Sequence, residues 1–329
     1  MRSLTFASIL VPLLSFIFYR NFLRMPSLST VRAFNAAFSP SYTPVAIFVG
    51  GTSGIGQGIA EAFARHTKGN AHIVIVGRNR AAAESIISTF PKPTVPGVTH
   101  EFVECDISLM KNVRHVATDL RARIPRINFL VLTPGVMTMN GRNETEEGID
   151  RKLAVHYYGR WRFIKDLLPA VEEAHNAGED AKVLSVLSAG YGGGKIDLED
   201  LGLKKSFSLP NAAAAAGTYN DIMINDFAAR FPGLSFIHSH PGFVASNLMK
   251  TSNTPSLRFM NNILMPILRP FAYSVETSGE HQLYGLLKAG PGAVRTTDNG
   301  DDIGLSKRYF GSPEAMARLW KHTEEATSV

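Results

Sequence analysis

From residue 45 onward the chain alternates short, unbroken apolar runs with longer stretches in which apolar residues recur every three or four positions. VAIFV (45–49), HIVIVG (72–77), HEFVEC (100–105), INFLVLT (127–133), KVLSVLS (182–188) and LSFIHS (234–239) predict buried strands. Between them IGQGIAEAFARH, VRHVATDLRAR, DRKLAVHYYGRWRFIKDLLPAVEEA and YNDIMINDFAAR carry helical periodicity. Strands apolar on both faces and joined by helices predict a parallel sheet covered on each side, the doubly wound α/β arrangement in a single domain. That domain is expected over 45–325, after a linker or short helix at 25–44.

The first residues read differently. SLTFASILVPLLSFIFY (3–19) is uncharged and apolar, and Arg20 and Arg24 follow it. Residues 1–24 are therefore expected to be an N-terminal apolar helix acting as a membrane anchor, at the short end of a span, with the positive flank keeping the body cytosolic. A secretory signal, a mitochondrial presequence and a soluble cytosolic chain with a dispensable leader are the alternatives. The formal charge of +6 owes much to four arginines before the first acid, Glu61, and no basic stripe suggests nucleic acid. A single cysteine, Cys105, excludes an intrachain disulfide and any zinc site built on several cysteines. His238 and His240 have no acid or cysteine beside them in sequence, so no metal site is expected. Asn143-Glu-Thr145 matches a glycosylation acceptor, relevant only if the body faces a lumen.

The first strand runs into GGTSGIG, residues 50–56, and then into a helix. Glycines at such a turn let a pyrophosphate approach the backbone, while the helix N-terminus supplies amide donors and a positive dipole. Gly50, Gly54 and Gly56 set the spacing, with Thr52, Ser53 and Ile55 between them. Where NAD-binding chains place an acid at the end of the second strand, this one has Arg78, which suits the 2′-phosphate of NADP(H). Asp106 closes the third strand, placed either to meet adenine or to cap the segment beginning at Ser108.

The order of glycine turn, Arg78, CDIS (105–108), LTPG (132–135), LSVLS (184–188), Tyr219 and HPGFVASNL (240–248) resembles the short-chain dehydrogenase/reductase family. TEEGIDRKLAVHYYGRWRFIKDLLP (145–169) is similar to its retinol-dehydrogenase-like branch, and VGGTSGIG with TYNDIM to fungal members of secondary metabolism. The resemblance implies hydride transfer between nicotinamide and a carbonyl or carbinol carbon. Ser188 would hold the substrate oxygen and Tyr219 would move the proton. Thr133, Gly135, Pro241, Gly242 and Val244 would line the cofactor, with a substrate lid around 249–273.

Three positions depart from the family pattern. His156 replaces an asparagine, Leu132-Thr133-Pro134 replaces a more polar run, and Met223 stands where a lysine usually follows the tyrosine by four residues. Losing a cation about 4 Å from the phenol withdraws on the order of 4 kcal/mol at an effective dielectric near 20. That is roughly two to three pKa units, which leaves Tyr219 a fair acid and a poor base and points to NADPH-consuming reduction. His156 is expected either to relay protons or supply the missing charge near neutrality, or to be a helix histidine with a local hydrogen bond. The apolar LRFMNNILMPILRPF (257–271) suggests a lipophilic ketone or aldehyde as substrate, with core packing or shallow membrane contact explaining the same stripe. Two other functions fit the pattern: an NADP-binding protein without turnover, and an isomerase or dehydratase using Tyr219 and His156 as acid and base. The oligomeric state is not legible.

Overall fold

A computed structural model describes residues 26–305 and 307–328; the apolar stretch at 3–19 and the anchor expected there lie outside the described residues. Seven parallel strands form one sheet in the order β3-β2-β1-β4-β5-β6-β7. They are β1 Val45–Val49, β2 His72–Gly77, β3 His100–Glu104, β4 Phe129–Leu132, β5 Lys182–Val186, β6 Ser235–Ser239 and β7 Gly292–Thr296. The chain order reverses between β1 and β4, so this is a doubly wound sheet with its switch point beside β1.

The helices are α1 Leu28–Ala36, α2 Gly54–His66, α3 Arg80–Ser88, α4 Met110–Arg123, α5 Arg151–Leu153, α6 Gly159–Asn176, α7 Leu209–Arg230, α8 Pro255–Leu268, α9 Val275–Lys288 and α10 Pro313–Ala326. A π-helical turn, Ala154–Tyr158, joins α5 to α6. Among the described residues no helix is long and apolar enough to cross a membrane.

Strands buried on both faces need cover on both sides, and two apolar clusters supply it. Ile47, Val74, Leu130 and Val183 pack toward Trp161, Phe163, Ile224 and Phe227 on one side. Phe48, Ile75, Val131 and Leu184 pack toward Ile59, Phe63 and Leu283 on the other. The six strands read from the sequence are all present. The seventh escaped notice because GAVRT is a short edge strand whose Arg295 is drawn inward by Asp221, with contacts of 2.9 Å to both carboxylate oxygens.

Candidate active site

A cleft of about 200 Å³ opens at the C-terminal ends of β1, β2 and β4, beside the switch point. Gly50, Thr52, Ser53, Gly54, Ile55, Arg78, Asp106, Thr133 and Gly135 all line it, so most of the expected cofactor residues come together. Gly54 has φ +58°, a conformation that strains any residue with a Cβ. A Cβ at Gly56 would stand 2.3 Å from Thr133 Oγ1 and 2.6 Å from the Gly50 carbonyl, so this glycine lets α2 lie against the β1 turn. Ser53 occupies the N-cap of α2 yet makes no capping hydrogen bond, which leaves the first-turn amides free for an anion.

Arg78 is exposed at the mouth and makes no ion pair among the described residues. Arg80 is engaged elsewhere, 3.7 Å from Glu84 and over the Phe102 ring at 4.8 Å. Arg78 also lines an adjoining cavity of about 440 Å³ with Cys105, Asp106, Asn112 and His115. Asp106 Oδ1 accepts from the Ser108 amide at 3.0 Å, so it shapes the turn ahead of α4 while its side chain borders both cavities. The larger cavity of about 620 Å³ lies at the opposite ends of the strands, around Val45, His72 and Asn128, and touches none of the expected site residues. In open α/β sheets ligands bind outside the carboxyl ends of the strands, so the smaller cleft is the candidate site.

Of the residues after β6, Ser246, Asn247, Leu248 and Thr251 line the cleft, whereas Pro241, Gly242 and Val244 do not. Gly242, at φ +71°, is pressed against Tyr273 and Asp298 instead, and Val244 bridges to Tyr273. The cleft is therefore lined by residues a few positions further along the same segment.

The catalytic end departs further. Ser188 stands two residues past β5, half-buried, and its hydroxyl has no hydrogen-bond partner among the described residues. Its amide donates to His238 Nε2 at 3.2 Å, and His238 Nδ1 donates to Asp221 at 2.6 Å. Asp221 in turn is held by Arg295. This buried Arg–Asp–His chain fixes the Ser188 backbone and commits both nitrogens of His238, which is why His238 is not available as a metal ligand.

Tyr219 is not at the cleft. Its ring is 1% exposed, its hydroxyl donates to the Leu201 carbonyl at 2.9 Å, and Tyr157 meets it edge-on at 5.0 Å. Burial, then the neighbouring Tyr158 and Asp200, push its pKa far above the ordinary phenol value, making it a very weak acid. Met223 is buried in the same cluster. The reason is the helical period: residues 219 and 223 share one face of α7, and that face turns toward Tyr157 and Leu201. The face toward the strand ends carries Gly217, Asn220 and Asp221 instead. A Cβ at Gly217 would stand 3.0 Å from Ser188 Oγ and 2.7 Å from the Gly193 amide nitrogen, so only glycine lets α7 pass this loop. The expectation that Tyr219 faces the nicotinamide is therefore corrected.

His156 takes the second of the two roles read for it, a helix histidine with a local hydrogen bond, and not the proton relay. It sits in the π turn, and its Nε2 accepts from the Val136 amide at 3.1 Å. Burial first, then the charges of Arg160 and Lys152, push it down to about 3. It is neutral across the physiological range, so it holds the loop after β4 and neither relays protons nor supplies a charge. The acid–base pair needed for an isomerase built on Tyr219 and His156 is absent.

The sequence reading overlooked Arg160. This guanidinium is fully buried and has no carboxylate partner among the described residues: it donates to the carbonyls of Pro134 at 2.5 Å and Val186 at 2.9 Å and to Ser185 Oγ at 2.7 Å. It ties the cleft-lining loop after β4 to the strand that leads to Ser188. Ser185 Oγ donates to Asn220 Oδ1, and Asn220 Nδ2 to the His156 carbonyl, at 2.7 and 2.8 Å. Arg160 lies in a run read as an amphipathic helix, where an arginine looks solvated; an intervening π turn helps set which face points inward.

On the turn that begins at Ser188, Tyr191 is 44% exposed, and its ring stacks on His240 at 4.1 Å with the Lys307 ammonium 4.1 Å from the ring centre. It is bordered by residues just before and beside Gly242. Burial lowers the affinity of His240 for a proton.

The fold and cleft define a dinucleotide-type α/β protein with its site at the switch point. Residues 44–193 match the family described as short chain dehydrogenase. Oxidoreductase AN1596 of Emericella nidulans is 39% identical over 80% of this chain and 78% of its own length. The chain belongs to the short-chain dehydrogenase/reductase family of oxidoreductases. Human polyprenol dehydrogenase is 29% identical over 54% of this chain and 52% of its own. An alcohol dehydrogenase from Thermococcus sibiricus, solved with 5-hydroxy-NADP, shares the fold at TM-score 0.53 and 16% identity, covering 83% of this chain and 99% of that one.

Proposed function

We propose that the protein is an NADPH-dependent reductase of a ketone or aldehyde on a lipophilic small molecule. The observation that carries this is the unpaired Arg78 at the mouth of a glycine-built cleft whose helix amides are uncapped. A guanidinium there fits a 2′-phosphate and the amides fit a pyrophosphate, so the residues present suit NADP(H). The cofactor supplies the hydride. Ser188 holds the carbonyl oxygen with its free hydroxyl, and Tyr191 replaces Tyr219 as proton donor, being the exposed phenol on the Ser188 turn. With Met223 in the core, its absence of charge no longer bears on direction, and reduction is read from the NADPH use proposed on Arg78. The name of polyprenol dehydrogenase supports a lipophilic substrate, and the fungal oxidoreductases among the relatives support secondary metabolism as the setting.

The burial of Tyr219 favours one other reading, an NADP-binding sensor or complex subunit without turnover. Titration with NADPH and NADH, followed by a panel of lipophilic carbonyls monitored at the cofactor absorbance, separates the two. NADPH-selective binding with turnover abolished in Ser188→Ala supports the reductase. Tight binding without turnover anywhere on the panel supports the sensor, and no nucleotide binding defeats both.

A further inference from the structure

We propose that α8 and the turn after it form a second membrane contact, lying in the plane of an anionic lipid surface. Phe259, Ile263 and Ile267 succeed one another every four residues, and Phe259 is 67%, Ile267 64% and the following Phe271 72% exposed. Met260, Leu264 and Leu268 widen the same stripe, and only Leu257 of this helix is buried. An apolar face of this size left in water needs an occupant. At 14 residues α8 is too short to span a bilayer, but it has the form of an interfacial helix.

Charge selects lipid as the occupant. Between Asp226 and Glu276 the sequence has no acid at all, while Lys250, Arg258 and Arg269 flank the apolar stripe. Basic residues beside a buried apolar face are what draw a helix to anionic headgroups.

The path of the chain points the same way. Helix α1 runs alongside α9 in the same direction: Arg32 meets Glu276 at 2.6 Å, Asn35 meets Glu280 at 2.7 Å, and Phe34 meets the Tyr284 ring at 4.9 Å. The start of α1 therefore lies at the Val275 end of α9, the end that Phe271 directly precedes. The described chain begins at Pro26, so the apolar residues 3–19 and the arginines at 20 and 24 connect to the molecule at the end where the exposed stripe emerges.

The test uses the full chain in lipid vesicles, with an environment-sensitive fluorophore on a thiol introduced by Ile263→Cys or Ile267→Cys. Cys105, the sole native thiol, is buried, so labelling is confined to the new site. Lys92→Cys, in the exposed loop 91–96, is the reference. The expected result is a blue shift at 263 and 267 with quenching by doxyl-labelled lipid, stronger with phosphatidylserine than with phosphatidylcholine alone, and none at 92. Emission at 263 and 267 as water-like as at 92 overturns the proposal. So does a shift that doxyl lipid does not quench and that grows with protein-to-lipid ratio, because a second copy then covers the stripe. No turnover is involved, so failure of the reductase reading leaves this result intact.

Discussion

The two halves of the sheet's C-terminal edge differ in how closely motif and geometry agree, and only the first lines the cleft. On the side of β1, β2 and β4, the glycines, Thr133 and Arg78 stand where their spacing suggests, because each is fixed by a tight turn directly following a strand. On the side of β5, β6 and α7, the tyrosine comes in the expected order along the chain and still faces the wrong way. A turn residue inherits its direction from the strand before it. A residue in the third turn of a 22-residue helix inherits its direction from the helix's rotation, and here the long loop between Ser188 and α7 sets that rotation through Gly193 and Gly217 packing.

The sharpest way to break the comparison is a pair of tyrosine substitutions. Tyr191→Phe is expected to lower turnover by about 10²–10⁴, the range for losing a positioned general acid. Tyr219→Phe should leave turnover within about twofold and cost about 1 kcal/mol of stability by urea unfolding, through loss of the bond to Leu201. The reverse outcome would mean that α7 rotates during catalysis and that the family's tyrosine is in use.

Gly56→Val probes the other end. Its side chain collides with Thr133 Oγ1 and the Gly50 carbonyl, so NADPH affinity in calorimetry should fall by about 100-fold or more, with a cooperative melt retained. Undiminished binding would move the nucleotide out of this cleft. Arg78→Ala is a milder cut: a charge-assisted contact of about 1.5–3 kcal/mol corresponds to a loss of roughly 10- to 100-fold for NADPH, with NADH unchanged.

The smallest effect concerns His156. Folding depresses its pKa to about 3 from an ordinary 6.5, so between these values the unfolded chain binds a proton that the folded one does not. Its contribution to stability is therefore complete above about pH 6.5 and is lost as pH falls toward 3. His156→Gln, which keeps an acceptor for the Val136 amide, should show a shallower decline in urea midpoint between pH 7 and pH 5 than the parent. Equal slopes would place a titrating histidine in the site after all.

The sheet was almost wholly legible because strands buried on both faces are continuous apolar runs; only the edge strand with its inward arginine was not. The glycine turn that lines the cleft was legible for the same local reason. The direction in which Tyr219 faces was not, since a four-residue interval after a tyrosine names a helical face without saying where that face points. Arg160 was hidden because its partners are carbonyl groups and a serine hydroxyl, which leave no charge pattern in the sequence.

The most direct test is a crystal structure with NADPH bound. The 2′-phosphate is expected on Arg78, the nicotinamide beside Ser188, and the Tyr219 hydroxyl still on the Leu201 carbonyl. A nicotinamide facing a Tyr219 that has left Leu201, or a nucleotide bound outside the glycine cleft, would contradict the account.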